Sequence, residues 1–209
     1  MDRNHELFKG RNEMGKIIVS ENTSLDGVVQ DPTGEEGFKH GGWFVQVSDN
    51  DRVEWAKVAL DDALHAEAWL LGRRSYEFFA ARWPSRTGPL AERLNNLPKY
   101  VVSSTLEKPK WNNTTVLKGD ATGEISQLKQ KLNGDIVIPA SIRLVQTLME
   151  HELVDEIRLM VYPFVLGPGI RLFGETGKKK RLNLVHSKAV GDNLALLSYE
   201  FVSGADGDN

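Results

Sequence analysis

The chain has 209 residues and contains no cysteine. This absence excludes disulfide bonds, a thiolate nucleophile and zinc sites that need cysteine ligands, and it is consistent with a protein of the reducing cytoplasm. No apolar run approaches the roughly 20 residues that a membrane-spanning helix needs. We therefore expect a cytoplasmic protein that does not bind a membrane.

An excess of positive charge is also missing, because 26 lysines and arginines stand against 29 aspartates and glutamates, for a net charge of -3. This balance argues against nucleic acid or an anionic membrane surface as a partner. The basic run at residues 178–181 is short, and in an acidic chain such a run is typical of a solvated loop. Histidines with metal-ligand spacing are lacking too, so no metal site is predicted.

The first 14 residues are polar and charged, and they lack the apolar stretch of a secretory signal. We expect residues 1–14 to be a disordered N-terminal extension, residues 15–203 to form one domain, and residues 204–209 to be a flexible tail. A domain of this size is long enough for one well-filled core.

Strand and helix patterns alternate along most of the chain. Apolar, β-branched runs predict strands, and apolar residues at positions i, i+3, i+4 and i+7 predict helices. The predicted strands are residues 16–20, 68–71, 99–103, 114–117, 135–138 and 156–162, and the predicted helices are 49–64, 73–83, 89–96, 124–132 and 141–150. This alternation predicts an α/β fold with a mostly parallel sheet.

The last part of the chain differs, because residues 182–190 and 194–202 flank Gly191-Asp192-Asn193 and predict an antiparallel hairpin at the sheet edge. Residues 28–30 suggest a short return strand after the first strand. The Gly-, Asp- and Pro-rich segment 31–48 is long for a loop, which is typical of functional or mobile loops. For the first helix we expect an inner face made of Val53, Ala56, Leu60, Ala63 and Leu64.

A junction between a strand and a helix is the strongest site signal. Trp69-Leu70-Leu71 is followed by Gly72, Arg73, Arg74 and Ser75, and an amphipathic helix begins there. Free backbone N–H groups and the helix dipole favour negative charge at a helix N-terminus. With two guanidinium groups and a hydroxyl added, this junction predicts a site for a phosphate of a nucleotide cofactor.

Two further strand ends carry small or hydroxylic residues, namely Ser103-Ser104-Thr105 and Pro139-Ala140-Ser141. Ligands of open α/β sheets bind outside the carboxyl ends of the strands. Each junction alone is better explained by helix capping, since Ser141 is a suitable N-cap residue. The three junctions together favour a phosphate-bearing ligand.

The run Leu70-Leu71-Gly72-Arg73-Arg74-Ser75-Tyr76-Glu77 resembles the Gly-Arg-Lys/Arg-Thr-Tyr-Glu signature of dihydrofolate reductase-like proteins. The chain is most similar to the branch related to the reductase domain of bacterial riboflavin biosynthesis, from about residue 15 to residue 201. Further matching motifs, in the family's order, are Ser24-Leu25-Asp26-Gly27, Trp83-Pro84, Val102-Ser103-Ser104-Thr105, Leu153-Val154-Asp155-Glu156, Arg158-Leu159, Pro163, Leu166-Gly167-Pro168-Gly169 and Arg171-Leu172-Phe173.

The resemblance implies a three-layer dihydrofolate reductase-like fold, a homodimer, and hydride transfer from NADPH to a small pterin- or pyrimidine-like ring. It implies that Arg73, Arg74 and Ser75, together with Gly72, hold the cofactor phosphates. Ser103 and Ser104 would lie near the adenosine 2′-phosphate, for which hydroxyl donors and a guanidinium are suited.

The turn containing Ala140 and Ser141 would face the nicotinamide and the pyrophosphate of the cofactor. Many relatives have glycine where Ala140 stands, and a methyl group at a close backbone approach narrows the space for a ligand. This departure keeps a second hypothesis open, in which the chain is a nucleotide- or ligand-binding protein that uses the same fold without turnover.

The substrate pocket would be lined by Gly27, Trp43, Phe44, Pro163 and Gly167. Aromatic rings there would stack on a planar substrate. Asp26 would orient a ring amide or deliver a proton, as reduction of a ring C=N or C=O bond requires. The alternative for Asp26 is that it only forms a turn with Gly27. The chain shows no acid that aligns with the one of folate reductases, so folate is not predicted as the substrate.

Overall fold

The computed structural model describes residues 14–174 and 179–202. Apart from Met14, the predicted extension at 1–14 and the predicted tail at 204–209 lie outside the described residues, as does Lys178 of the basic run. In these two ranges, none of the helices combines the length and the hydropathy that a membrane span requires.

A sheet of eight strands forms the centre of the part that the structure describes. Its strands in chain order are β1 (Lys16–Ser24), β2 (Ala66–Gly72), β3 (Lys99–Val102), β4 (Thr114–Leu117), β5 (Asp135–Pro139), β6 (Glu156–Tyr162), β7 (Leu182–Val190) and β8 (Leu194–Phe201). Their order across the sheet is β4-β3-β2-β5-β1-β6-β8-β7. The first six strands are parallel, and β8 is antiparallel to β6 and β7. The predicted mostly parallel sheet with a C-terminal hairpin is confirmed.

Helices cover both faces of the sheet and make the fold three-layered. They are α1 (Asp49–His65), α2 (Arg73–Ala80), α3 (Pro89–Asn96), α4 (Ala121–Lys131) and α5 (Ile142–Glu150). Residues Ile17 and Val19 of β1 pack with α4 and α5 in one apolar cluster. Their neighbour Ile18 packs on the opposite face with Trp69, α1 and α2. This alternation along β1 is what a strand covered on both faces requires.

The first helix buries only part of the face that the sequence predicts. Val53 is 53% exposed and Leu64 is 58% exposed, whereas Ala63 is buried. The inner face carries Trp55, whose indole N–H donates to Asn22 of β1 at 2.9 Å. Because this inner face also includes polar residues, the spacing of apolar residues alone does not identify it.

Two segments near the end of β1 also differ from their predictions. The strand runs on to Ser24, four residues past its predicted end at residue 20, because β6 pairs with it over that length. The predicted return strand at residues 28–30 is reduced to an isolated bridge between Val28 and Arg171. The longer β1 carries additional side chains to the edge where ligands of such sheets bind.

Helix α2 has the apolar stripe that its sequence predicts, with Tyr76, Phe79 and Ala80 packed in the cluster around Trp69. The regular helix ends at Ala80, earlier than predicted, and a 3-10 turn follows at Trp83–Ser85. The packing of this stripe holds the N-terminus of α2 at the carboxyl end of β2.

Candidate active site

The carboxyl ends of the parallel strands border a cavity of about 720 Å³. Its wall includes residues 20–22 of β1, the start of α2, the turn between β5 and α5, and the inner side of α1. Small-molecule sites typically occupy cavities of roughly 300–1,000 Å³. The position and the size of this cavity make it the candidate active site.

Two of the predicted junctions meet directly in the cavity wall. The backbone N–H of Gly72 donates to the hydroxyl of Ser141 at 3.0 Å. The backbone N–H of Ser141 donates in turn to the hydroxyl of Ser75 at 3.0 Å. The third junction joins them through Arg73, whose guanidinium donates to the hydroxyl of Thr105. Residues about 70 positions apart therefore form one continuous surface.

The turn before α5 has an unusual backbone. Ala140 and Ser141 have φ values of 52° and 63°, in the left-handed region that favours glycine. Ser141 occupies the N-cap position of α5, but its hydroxyl makes no capping hydrogen bond to the helix, because it accepts from Gly72 instead. The N-terminus of α2 also lacks a side-chain cap. Both helix starts therefore keep backbone N–H groups for another partner.

Arginines surround the cavity mouth, and a loop after β1 brings acids to them. Arg74 forms an ion pair with Glu36 at 3.4 Å, and Arg82 pairs with Glu35. The loop is held by the buried carboxylate of Asp31, which accepts the backbone N–H of Glu36 at 3.0 Å. The two acids are placed to compete with an anionic ligand for these guanidinium groups.

The serine pair after β3 is split between two environments. Ser103 is only 8% exposed, and its hydroxyl accepts the backbone N–H groups of Thr105 and Leu106 at 3.2 and 3.0 Å. Ser104 is exposed beside the Arg73–Thr105 contact. Neither serine is part of the cavity wall; Ser104 is open to solvent, while the hydroxyl of Ser103 shapes the turn.

Asp26 and Gly27 lie in a turn outside the cavity wall. The carboxylate of Asp26 accepts the Ser24 hydroxyl at 2.7 Å and the backbone N–H groups of Leu166 and Gly167 at 3.1 and 2.8 Å. The Ser24 hydroxyl and these amides lower the pKa of Asp26 to about 2. Asp26 is therefore ionised at neutral pH and ties the loop that contains Gly167 to the turn after β1, which does not suit a proton donor.

Of the two aromatic residues predicted to contact the substrate, only one lines the cavity. Trp43 is 1% exposed, and its ring packs edge-on against Tyr162 at a centroid distance of 5.2 Å. It is therefore a core residue. Phe44 reaches the cavity wall beside Trp55, whereas Pro163 lies outside that wall.

The cavity wall also contains a buried acid that the motifs did not indicate. Glu21 of β1 is 7% exposed and lines the cavity wall. Burial raises its pKa to about 8. The available signal was an acidic residue directly after an apolar strand run, but the predicted strand ended one residue before it. Once β1 is extended, the strand period buries this side chain.

The sequence profile of the RibD C-terminal domain matches residues 15–196. The chain belongs to the RibD C-terminal domain family. It is 24% identical over 192 residues to the uncharacterized protein YyaP of Bacillus subtilis (strain 168), covering 89% of this chain and 95% of that protein. The family assignment agrees with the resemblance that the motifs indicate.

Solved structures share the fold of this RibD C-terminal domain protein. A protein of Shewanella sp. PV-4 assigned to riboflavin biosynthesis has a TM-score of 0.70 at 24% identity, over 90% of this chain and 99% of that one. Dihydrofolate reductase from Enterococcus faecalis, solved in complex with NADP(H), has a TM-score of 0.58 at 15% identity, over 90% and 97% of the two chains. The three-layer dihydrofolate reductase-like fold is thereby confirmed.

The strand-end surface of this RibD C-terminal domain protein has the donors that a dinucleotide phosphate needs. Arg73 and Arg74 supply guanidinium groups, and the uncapped starts of α2 and α5 supply backbone N–H groups beside them. Such groups bind phosphate through charge-assisted hydrogen bonds. The residues present therefore fit a phosphorylated nicotinamide cofactor.

Proposed function

We propose that this protein is an NADPH-dependent reductase that transfers a hydride to a small heterocyclic substrate, pterin-like or pyrimidine-like. One observation carries the proposal: the junctions at Gly72–Ser141 and Ser75–Ser141 close into a single wall of a 720 Å³ cavity with arginines at its mouth. The reductase-like fold and the family membership support it. The reduced nicotinamide supplies the hydride, and the protein positions the ring and excludes water.

In this proposal, Arg73, Arg74 and Ser75 hold the cofactor phosphates, and Gly72 lets the backbone approach them. Ser104 and Arg73 contact the adenosine 2′-phosphate, since a guanidinium and a hydroxyl recognise its oxygens. Ser103 supports them by shaping the turn. Ala140 and Ser141 lie against the pyrophosphate and the nicotinamide.

The substrate occupies the inner part of the cavity, where Phe44 and Trp55 supply aromatic surface for a planar ring. Asp26, Gly27, Trp43, Pro163 and Gly167 contribute by holding the surrounding loops rather than by contact with the ring. Asn22 and Glu21 add polar groups to this part of the lining, so it does not favour a purely hydrophobic ligand. A heterocycle with both an apolar face and polar ring atoms matches this lining.

Titration of NADPH and NADH, followed by cofactor fluorescence, tests the cofactor assignment. We expect NADPH to bind at least about tenfold more tightly than NADH, which corresponds to about 1.4 kcal/mol. Arg73→Ala should weaken NADPH much more than NADH. Arg52→Ala is the matched control, because Arg52 pairs with Asp49 at the start of α1, outside the cavity.

Absence of binding of either cofactor at millimolar concentration would refute the reductase function. Equal losses for NADPH and NADH in Arg73→Ala would show that Arg73 does not contact the 2′-phosphate. A preference for NADH would contradict the roles given to Ser104 and Arg73 together.

The second candidate function is ligand binding without turnover. The strained backbone of Ala140 favours it, because a methyl group stands where the cofactor would approach the turn. A screen of pterins, pyrimidinones and quinones for oxidation of bound NADPH separates the two functions. Cofactor binding without oxidation by any ring would favour the binding protein.

A homodimer also remains a prediction. The edge strand β7 exposes Leu184 and Val185, at 54% and 50% exposure, next to the antiparallel hairpin partner β8. Sedimentation velocity on the full chain measures its mass in solution, and a monomer at high concentration would contradict the prediction.

A further inference from the structure

Glu21 is a buried carboxyl group whose hydrogen bonds are incomplete. Its Oε1 accepts the backbone N–H of Asn22 at 3.1 Å. Its Oε2 is buried and has no hydrogen-bond partner among the described residues. A buried polar atom without a partner costs free energy, so its retention calls for an explanation in function.

The register of the sheet places Glu21 where β5 leaves the sheet. Ser20 is paired with Pro139, the last residue of β5, so Glu21 is the next residue of β1 beyond that strand. The turn at Ala140 and Ser141 begins at the same level. Glu21 therefore lies close to the part of the cavity wall where the proposed nicotinamide position and the substrate position meet.

The direction of the side chain follows from its neighbours on β1. Ser20 donates to Asp62 of α1 at 3.3 Å, and Asn22 accepts from Trp55 of the same helix at 2.9 Å. Because successive residues of a strand point to opposite faces, Glu21 points toward the other face, on the side of Val19. Val19 on that face belongs to the apolar cluster that α5 covers, and Glu21 lines the cavity together with Leu144 and Gln146 of α5.

This environment determines the protonation state of Glu21. Burial raises the pKa of Glu21 to about 8, and the Asn22 amide offsets only part of this effect. At neutral pH the carboxyl group is therefore mainly protonated and is a hydrogen-bond donor. The oxygen without a partner is covered from water, on a side chain that lines the cavity wall.

Several charged groups on the elements around Glu21 are engaged with other partners. Arg158 of β6 pairs with Asp62 at 2.9 Å and with Glu156 at 2.7 Å, and Asp31 binds loop amides. Arg143 of α5 lines the same cavity. Other charged residues of the cavity wall are Glu35, Glu36, Arg73, Arg74, Arg82 and Arg86. In the described ranges, none of these groups forms an ion pair with Glu21.

We propose that Glu21 is the general acid of the reduction, donating its proton to a ring nitrogen of the heterocyclic substrate. This inference rests on the proposed function. It identifies the substrate as a ring with a C=N bond whose nitrogen accepts a hydrogen bond from a neutral carboxylic acid.

The proton and electron balance of the step is complete. The ring carbon of the C=N bond gains a hydride from the reduced nicotinamide, which is oxidised. The C=N double bond becomes a single bond, and the ring nitrogen takes the proton as the O–H bond of Glu21 breaks. The carboxylate of Glu21 then regains a proton from water before the next turnover.

The first test measures the protonation of Glu21 without substrate. Infrared difference spectra of the full-length protein with ¹³C-labelled glutamate, recorded from pH 5 to pH 10, follow the carboxylic acid band, and Glu21→Gln identifies its contribution. We expect a protonated Glu21 at pH 7 that titrates near pH 8. A carboxylate at pH 7 would overturn the proposal.

The second test measures the pH dependence of single-turnover reduction, with pterin and 2-hydroxypyrimidine as probes at saturating NADPH. The rate constant should be highest below the pKa of Glu21 and fall as the pH rises through it. Glu21→Gln should lower the rate constant about 100-fold or more and abolish this pH dependence. Glu21→Asp, which keeps an acid but shortens its reach, should recover part of the rate.

NADPH affinity distinguishes a failure of this inference from a failure of the proposed function. Glu21→Gln should bind NADPH as tightly as the wild-type protein, because Glu21 contacts the substrate and not the phosphates. If the wild-type protein does not bind NADPH, the proposed reductase function is overturned. A normal affinity, together with a Glu21→Gln rate profile like that of the wild type, would overturn the role of Glu21 alone.

Discussion

The hydroxyl of Ser141 accepts a hydrogen bond from the backbone N–H of Gly72 at 3.0 Å, which joins the end of β2 to the start of α5. The N–H of Ser141 is bound by Ser75 across the same gap. Ser141 is held in a left-handed conformation, next to a left-handed Ala140. The cavity wall is therefore built from a strained turn that two hydrogen bonds keep in place.

Replacement of Ala140 by glycine should release part of this strain. Glycine adopts a positive φ without the clash of Cβ, so Ala140→Gly should raise the free energy of unfolding by about 1 kcal/mol. Urea unfolding monitored by tryptophan fluorescence measures the change. Ala56→Gly, at an exposed position inside α1, is the control and should lower stability by about 1 kcal/mol. A destabilised Ala140→Gly protein would contradict this account.

The ion pair between Glu36 and Arg74 should reduce the affinity for an anionic cofactor. Glu36→Gln frees Arg74, and because an exposed ion pair is worth about 0–1 kcal/mol, NADPH should bind more tightly by up to about fivefold. Fluorescence titration at low and high salt measures the gain, which should shrink as salt screens the charges. Glu54→Gln, which removes the pair with Lys57 on α1, should leave the affinity unchanged.

The stability of the protein should depend on pH through Glu21. Its pKa is about 8 in the folded protein and near 4.5 when unfolded, so the folded state binds more protons between these values. The contribution of Glu21 to the free energy of unfolding is therefore largest at low pH and is lost as the pH rises toward 8. From pH 5 to pH 8, the wild-type protein should lose about 3 to 4 kcal/mol relative to Glu21→Gln. Urea unfolding of both proteins across this range measures the difference, and parallel curves would rule out a buried neutral Glu21.

Asp26 should matter for stability rather than for catalysis. Asp26→Asn weakens the hydrogen bonds to Leu166 and Gly167 and should cost about 2 kcal/mol at pH 7. Because the pKa of Asp26 is lowered to about 2, its contribution is present above about pH 4 and is lost as the pH falls toward 2.

Unfolding at pH 7 and pH 3 checks this dependence for Asp26→Asn, with Asp61→Asn on the exposed side of α1 as the control. NADPH binding should be retained in Asp26→Asn. A variant of normal stability that has lost reduction would restore Asp26 as a catalytic candidate.

Much of the fold could be predicted from local signals. The bounds of α3, β4, β6 and β7 match the predicted ones, because each has a local signal: a proline at the start of α3, β-branched residues in the strands, and the Gly191 turn directly after β7. The alternation of strands and helices was sufficient to predict the parallel sheet and its antiparallel hairpin. The junctions at Gly72 and Ser141 were recognisable because strand ends of a parallel sheet share one edge.

The chemical character of individual acids depended on partners far along the chain. Asp26 resembles a catalytic acid in sequence, yet the nearby Ser24 hydroxyl, together with amides 140 and 141 positions away, lowers its pKa and keeps it ionised. Glu21 resembles a polar residue at a strand end, yet β6 extends β1 past it and the fold buries it. Trp43 resembles a loop residue that is free to stack, yet Tyr162 of β6 encloses it.

The sequence by itself determined the order of strands and helices, the family and the position of the candidate site at one edge of the sheet. Only the tertiary structure decided which acid is neutral, which arginines are paired and which aromatic ring reaches the cavity. The physical reason is that backbone preferences arise between neighbours in the chain. Protonation and exposure arise from burial and hydrogen bonds that only the assembled fold creates.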